Sequence, residues 1–221
     1  MDQFAYLLGD LMLFAVWLLL FLRKPYRREM IVMSLYFTPF TLFDWWFLQD
    51  YWSPQTFLGT RFGFESFFWT FVAGGIAAVV YEEVRNKTLV RTKRAPGWMQ
   101  VGLVVLFLLN FFVLREFVGV NSMYALYIVF LITTVFILLS RKDLFADVVG
   151  SGLLCGFLGL FFYLVYIAIF PGIVQAWWKL ENLSGVLVLG IPLEELLFAF
   201  GFGMVAGPLY EVWQGYRLAK R

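Results

Sequence analysis

Seven apolar stretches, each about 20 residues and long enough to cross a hydrocarbon layer as a helix, leave this chain few ways to fold. They lie near residues 4–22, 30–49, 63–84, 98–114, 122–139, 149–170 and 186–213. In hydrocarbon a backbone N–H or C=O without a partner is costly, so runs of this length select helices that pair their own backbone. The composition agrees: with 62% hydrophobic and 21% aromatic residues, 221 residues hold more apolar surface than a soluble core of that size can bury. The expected class is all-α, a polytopic membrane helical bundle with seven transmembrane helices forming a single domain over 1–221. The first stretch is followed, not preceded, by Arg23-Lys24, and is expected to stay in the mature chain rather than be cleaved as a signal.

The basic residues set an orientation. Of the 17 Lys and Arg, all but Arg61, Arg115 and Lys179 follow the first, third, fifth or seventh stretch, Lys93, Arg94 and Arg221 among them. By the positive-inside rule the amino terminus is outside and the carboxyl terminus cytoplasmic, in the cell membrane. The lone Cys155 lies in an apolar run and is expected to be a small buried hydrophobe.

One segment occurs twice. Gly63-Phe64-Glu65-Ser66 leads through Ala73, Gly74, Gly75, Ala77 and Ala78 to Tyr81-Glu82. Pro192-Leu193-Glu194-Glu195 leads through Gly201, Gly203, Ala206 and Gly207 to Tyr210-Glu211 at the same spacing. Stretches one to three (within 1–95) and five to seven (within 122–221) then form two parallel three-helix repeats, joined by a linker helix within 96–121 that lets both keep one orientation. The small residues read as helix-packing surface. Along each helix the first glutamate and the Tyr-Glu pair stand about 24 Å apart, too far for one reaction centre. Glu82, Glu83 and Glu211 are therefore expected to be solvated at the interface beside the basic loops, and Asn110 to bond to a neighbouring helix.

An acid inside hydrocarbon costs a few kcal/mol and marks function. Glu65 and Glu194 are repeated; Asp44 sits between Phe43 and Trp45, far in sequence from any cation; Asp10 stands nearer a membrane surface and is the weaker case. Phe68 and Phe198 each follow a repeated glutamate by about one helical turn, and Trp45 and Trp52 lie near the carboxylates in sequence, after Asp44. Trp98, Trp177 and Trp178 read as interfacial belt residues.

These residues resemble the membrane-integral lycopene cyclases, found as heterodimeric or fused subunits in bacteria, archaea and fungi. The resemblance is carried by Asp44, Trp52, Gly59, Glu65, Phe68 and Tyr81-Glu82 in the first half. In the second it is carried by the run from Gly190 to Phe198 and by Tyr210-Glu211. It implies acid-catalysed, redox-neutral ring closure at the ends of a linear carotenoid, with catalytic residues drawn from Glu194, Glu195, Glu65 and Asp44. Phe68, Phe198, Trp45, Trp52 and Pro192 would line the substrate, with no cofactor and no metal. Partners would be membrane lipid, the carotenoid or another isoprenoid, and a second subunit of the same or another kind. The family pattern has Pro-x-Glu-Glu or Pro-x-Glu-Asp in each half, whereas the first half here has Gly63 for the proline and Ser66 for the second acid.

The residue types suit that chemistry. Ring closure needs an acid, a shielded cation and a base; adjacent carboxylates in an apolar setting do not both ionise, so Glu194 or Glu195 can serve as the acid, with Glu194 favoured. Asp44, Glu65 or Glu195 can serve as base or relay. Aromatic faces stabilise the cation. A proton-coupled small transporter, or a non-catalytic membrane subunit of the same fold, is the alternative, because acids between repeats also carry protons in transporters. Without histidine, His-based metalloprotease and Ser-His protease sites are excluded; without lysine in 186–213, so is a retinal Schiff base. Nothing points to nucleic acid.

Overall fold

The computed structural model describes residues 4–60, 63–92 and 97–220, excepting the side chains of Trp98 and Met99. Arg61, Lys93, Arg94, Arg221 and the Trp98 side chain, all used above, lie outside this set. Among the described residues six helical stretches are long and apolar enough to cross a membrane: Lys24–Asp50, Phe64–Val84, Gln100–Phe117, Ser122–Ser140, Lys142–Ile169 and Leu193–Gln214. The first helix, α1 (Ala5–Phe21), is apolar but only 17 residues long. The protein is a helical membrane protein, and its exposed surface is what lipid requires: Leu139 is 73% exposed, and Leu19, Leu131, Phe157 and Phe161 are exposed too.

The chain divides into two compact units: Met1–Ile76 with Phe157–Leu197, and Ala77–Gly156 with Phe198–Arg221. Each is built from two separate stretches of the sequence.

In the first unit α1 is followed by α2 (Arg27–Phe37), a tight 3-10 segment (Thr38–Phe43) and α3 (Asp44–Asp50). The stretch read as one helix near 30–49 is thus interrupted. Pro39 has no N–H to give back to the preceding turn, and the chain tightens around it. Threonines meet polar atoms of the break: Thr38 Oγ1 donates to Ser34 O at 2.8 Å, and Thr70 Oγ1 lies 3.3 Å from Thr38 O and 2.9 Å from Thr41 Oγ1. Thr70 belongs to α4 (Phe64–Val84), whose first part lies in this unit. Gly74 and Gly75 let α4 close on α2: a Cβ on Gly74 would stand 2.7 Å from Phe37 Cβ, and one on Gly75 would collide with Ser34 Oγ and Trp17 Nε1. The packing expected of these small residues is what the structure has.

The second unit holds the end of α4, strand β1 (Lys87–Arg91), α5 (Gly97–Phe112) with a π-turn (Val113–Phe117), α6 (Ser122–Ser140) and the start of α7 (Phe145–Ile169). Asn110 donates to Leu106 O, 2.7 Å away in its own helix, rather than to a neighbour. The C-terminal half of α7 returns to the first unit and leads through α8 (Ile173–Trp177) to a hairpin of β2 (Leu187–Val188) and β3 (Ile191–Pro192). Its two-residue turn, Leu189-Gly190, has φ of 54° and 87°, the positive values that tight hairpins demand. The last apolar stretch therefore begins as a hairpin, and its helix α9 (Leu193–Ala206) starts only after Pro192.

Within the second unit α9 meets α7 backbone to backbone, since a Cβ on Gly203 would lie 2.5 Å from Ser151 O. After α10 (Leu209–Gln214), Gly215 at φ 71° turns the chain into β4 (Tyr216–Lys220). β4 pairs antiparallel with β1, from Lys87 opposite Lys220 to Arg91 opposite Tyr216, a basic ribbon that an all-α expectation lacks. Arg141 anchors it, donating to Tyr216 O at 2.7 Å and Glu211 O at 3.3 Å while pairing with Asp143 at 2.7 Å. That carboxylate holds the Arg141 guanidinium charged, above its already high ordinary range.

Candidate active site

Asp10, Asp44, Glu65, Glu194 and Glu195, the carboxyls singled out within the apolar spans, all fall in the first unit, and each is buried. They form two groups.

The first group is built on the start of α4. Glu65 folds back toward the amino end of its helix and its Oε1 accepts the Phe57 N–H at 2.5 Å. Gly63 makes the room: a Cβ there would collide with Glu65 Oε2 and stand 2.8 Å from Thr56 Cγ2. Thr56 closes the same loop by donating to Thr60 O at 2.6 Å. One residue on, the Ser66 hydroxyl accepts from Tyr6 OH at 3.1 Å and itself donates to the Asp44 carboxylate. Ser66 O accepts from Thr41 Oγ1 at 3.0 Å, which ties the broken α2–α3 segment to α4 beside Asp44. Asp10, one turn past Tyr6 on α1, is close enough to Glu65 for their charges to interact. It is fully buried.

The second group is built on the start of α9. Glu194 Oε1 accepts the Ser184 N–H at 2.8 Å, the same use of a preceding loop that Glu65 makes. Glu195 turns the other way, as neighbours about 100° apart on a helix must. Its Oε2 accepts from Tyr163 OH and its Oε1 from Trp178 Nε1 at 2.6 Å; Tyr51 OH lies 3.3 Å from the same indole nitrogen.

Aromatic rings connect the groups. Trp52 and Trp178 form an antiparallel backbone bridge, flanked by Ser53 N to Trp177 O at 2.7 Å and Lys179 N to Tyr51 O at 2.9 Å. Their ring centroids are 5.9 Å apart; Tyr6 lies edge-on to Trp52 at 5.3 Å and to Trp177 at 6.1 Å; Tyr163 meets Trp178 at 6.1 Å. Tyr6 thus touches the Ser66–Asp44 pair with its hydroxyl and the tryptophans with its ring.

Of the residues expected to line the substrate, Trp52 is in this cluster, and Pro192 is buried at the entry to α9. Phe68 lies in the first unit, 5.3 Å from the Phe14 ring. Trp45 is 52% exposed. Phe198 belongs to the second unit, packed on Phe202 at 5.8 Å and Phe130 at 6.0 Å. Trp177 and Trp178 are buried, not an interfacial belt, because their segment turns inward to pair with Tyr51–Ser53. Glu211 is 0% exposed and Glu82 is equally shut off; carboxyl oxygens of the two lie within 4.8 Å of each other in the second unit, so both leave the solvated role expected of them, while Glu83 stays half-buried.

Tyr6, Tyr163 and Tyr51 were not legible as site residues. The available signal was spacing: Tyr6 and Asp10 are four apart on α1 and share a face.

Fold and site together define a polytopic membrane protein that encloses carboxyl groups against aromatic faces, with no soluble catalytic domain among the described residues. The family model described as lycopene cyclase matches residues 3–84 and 121–213, most of the chain, and the protein belongs to that family. No curated protein and no solved structure matches it. Membership supports carotenoid cyclisation as the activity and a carotenoid as the substrate class.

Proposed function

We propose that the protein closes rings at the ends of a linear, lycopene-like carotenoid inside the membrane by acid catalysis, without redox change. The observation that carries this reading is the pairing of buried carboxyls with stacked indoles: Glu195 is held by Trp178, whose ring packs on Trp52, Trp177 and Tyr163. The first step is delivery of a proton to the terminal carbon–carbon double bond. A neighbouring double bond of the same polyene attacks the resulting tertiary cation and closes the ring. Loss of a proton from an adjacent carbon leaves the final alkene, so the net change is isomerisation.

Glu194 is the proton donor in this reading. Its neighbour Glu195 is bonded on both oxygens, by Tyr163 and Trp178, and faces the rings as the negative counter-charge and base. Indole and phenol faces shield the cation, each contact contributing about 0.5–2 kcal/mol once water is excluded. Glu65 and Asp44 form the second acid group, and Trp52 and Phe68 line the polyene.

The proposed topology has α1 as a seventh crossing, two parallel three-helix repeats and α5 as linker. It places the amino terminus outside and the carboxyl terminus in the cytoplasm of the cell membrane. The family match supports this arrangement by stopping at 84 and resuming at 121, either side of α5. The basic ribbon of β1 and β4, with Lys87, Arg91, Arg217 and Lys220, supports the cytoplasmic assignment.

Pigment analysis of lycopene-accumulating bacteria tests the function. Expression of the chain converts lycopene to a monocyclic or bicyclic carotene, and Glu194→Gln at matched membrane level does not. Unchanged lycopene with folded, inserted protein overturns lycopene as the substrate.

A further inference from the structure

Resting on that reading, we infer that Ser66 is a positioning residue and that Asp44, presented through Ser66 and Tyr6, is the first half's counterpart of Glu195. The sequence alone makes the first half look one acid short. In the structure the place that Glu195 fills in the second group is filled by two residues from different helices, a hydroxyl on α4 and a carboxyl at the start of α3.

Three observations converge. Ser66 follows Glu65 as Glu195 follows Glu194, and in both groups the first residue of the pair is spent on a loop N–H, from Phe57 or from Ser184. In both groups the second residue takes a phenol hydrogen bond, from Tyr6 or from Tyr163. In both groups that residue abuts the tryptophan cluster: Glu195 directly through Trp178, Ser66 through Tyr6, whose ring packs on Trp52 and Trp177. The serine hydroxyl is short by the length of a carboxyl group, and Asp44, donated to by that hydroxyl, supplies it. The Pro39 break matters here. An unbroken helix through 38–43 would not turn Thr41 onto Ser66 O, the bond that seats α3 and its first residue against α4.

The test moves the carboxyl from one residue to the other. Asp44→Asn is expected to lower turnover by about 100-fold or more, as loss of a general acid or base does. Ser66→Ala is expected to lower kcat roughly tenfold with little change in KM, the effect of removing one hydrogen bond to a charged group. Asp44→Asn combined with Ser66→Glu is expected to recover most of the activity lost in Asp44→Asn, which a structural role for Ser66 does not predict. A readout independent of turnover is infrared difference spectroscopy of the purified protein across a pH titration. The carboxyl band missing in Asp44→Asn is expected to shift in Ser66→Ala and in Tyr6→Phe. A band unmoved by Ser66→Ala, or a folded double variant with no recovery, overturns the inference. Should the wild type leave lycopene unchanged while the Asp44 band shifts in Ser66→Ala, the substrate reading fails and the Ser66–Asp44 assignment stands.

Discussion

The two acid groups of the first unit solve one problem with different parts. At α9 a single residue, Glu195, carries the carboxyl and meets both its phenol and its indole partner. At α4 the same surroundings hold a serine, and the carboxyl arrives from α3. The glutamate one position earlier behaves alike in both, accepting a loop N–H, and so does structural work at the same time as whatever chemistry it performs. A repeated motif can thus keep its local geometry while the groups bonded to it come from different helices. Identity at one position is a poor guide to what a repeat has lost.

The comparison breaks most readily at the glutamates. Glu194→Gln keeps an acceptor oxygen for Ser184 N–H but removes the proton, and pigment analysis is expected to show at least a 100-fold loss of cyclised product with membrane level unchanged. If Glu65→Gln costs as much, the groups contribute equally; a much smaller loss assigns the chemistry to α9 alone. Next in size is Trp178→Phe, which retains a ring but deletes the N–H held 2.6 Å from Glu195. Initial-rate measurements in membranes are expected to show a drop of roughly 10- to 100-fold, a charge-assisted hydrogen bond contributing about 1.5–3 kcal/mol.

Gly63→Ala sharpens the contrast from the other side. The new methyl displaces the Glu65 carboxyl from Phe57 N–H, with an expected loss of about 1–3 kcal/mol read as a lower melting temperature in detergent. Pro192 already occupies the corresponding place before Glu194, so that group has no such vulnerability. The smallest effect is expected from Lys179→Met. Its ammonium caps the end of α3 at Leu48 O (3.0 Å) and Gln49 O (2.8 Å), and its loss is expected to cost about 1 kcal/mol of stability with cyclisation retained.

Much of this was legible because hydrocarbon is an exacting solvent. The positions of the apolar helices follow from length and hydropathy, and the expectation that Asp44, Glu65, Glu194 and Glu195 serve a function follows from the cost of placing a carboxyl in an apolar phase. Periodicity was a weaker guide where the chain leaves the helix. Pro39 announced the break in 38–43, but an apolar run through it reads as continuous; the β2–β3 hairpin hides in Val186–Pro192 because a two-residue turn containing Leu189 looks like helix. Trp177 and Trp178 misled for a physical reason. Indoles favour membrane interfaces, and only the pairing of their backbone with Tyr51–Ser53 turns them inward. Glu82 and Glu211 misled likewise: basic loops follow them in sequence, yet both side chains are buried.

By itself the sequence determined the solvent of this protein, its helical class, the repetition of a glutamate segment and the family to which it belongs, since each depends on composition and local spacing alone. Only the tertiary structure decided which groups meet. Tyr6, Asp44 and Ser66 lie on three helices; Tyr51, Trp178, Tyr163 and Glu195 come from four separate stretches of chain. Hydrogen bonds act over about 3 Å, and proximity on that scale between residues distant in sequence is set by how helices break and pack, not by their order along the chain.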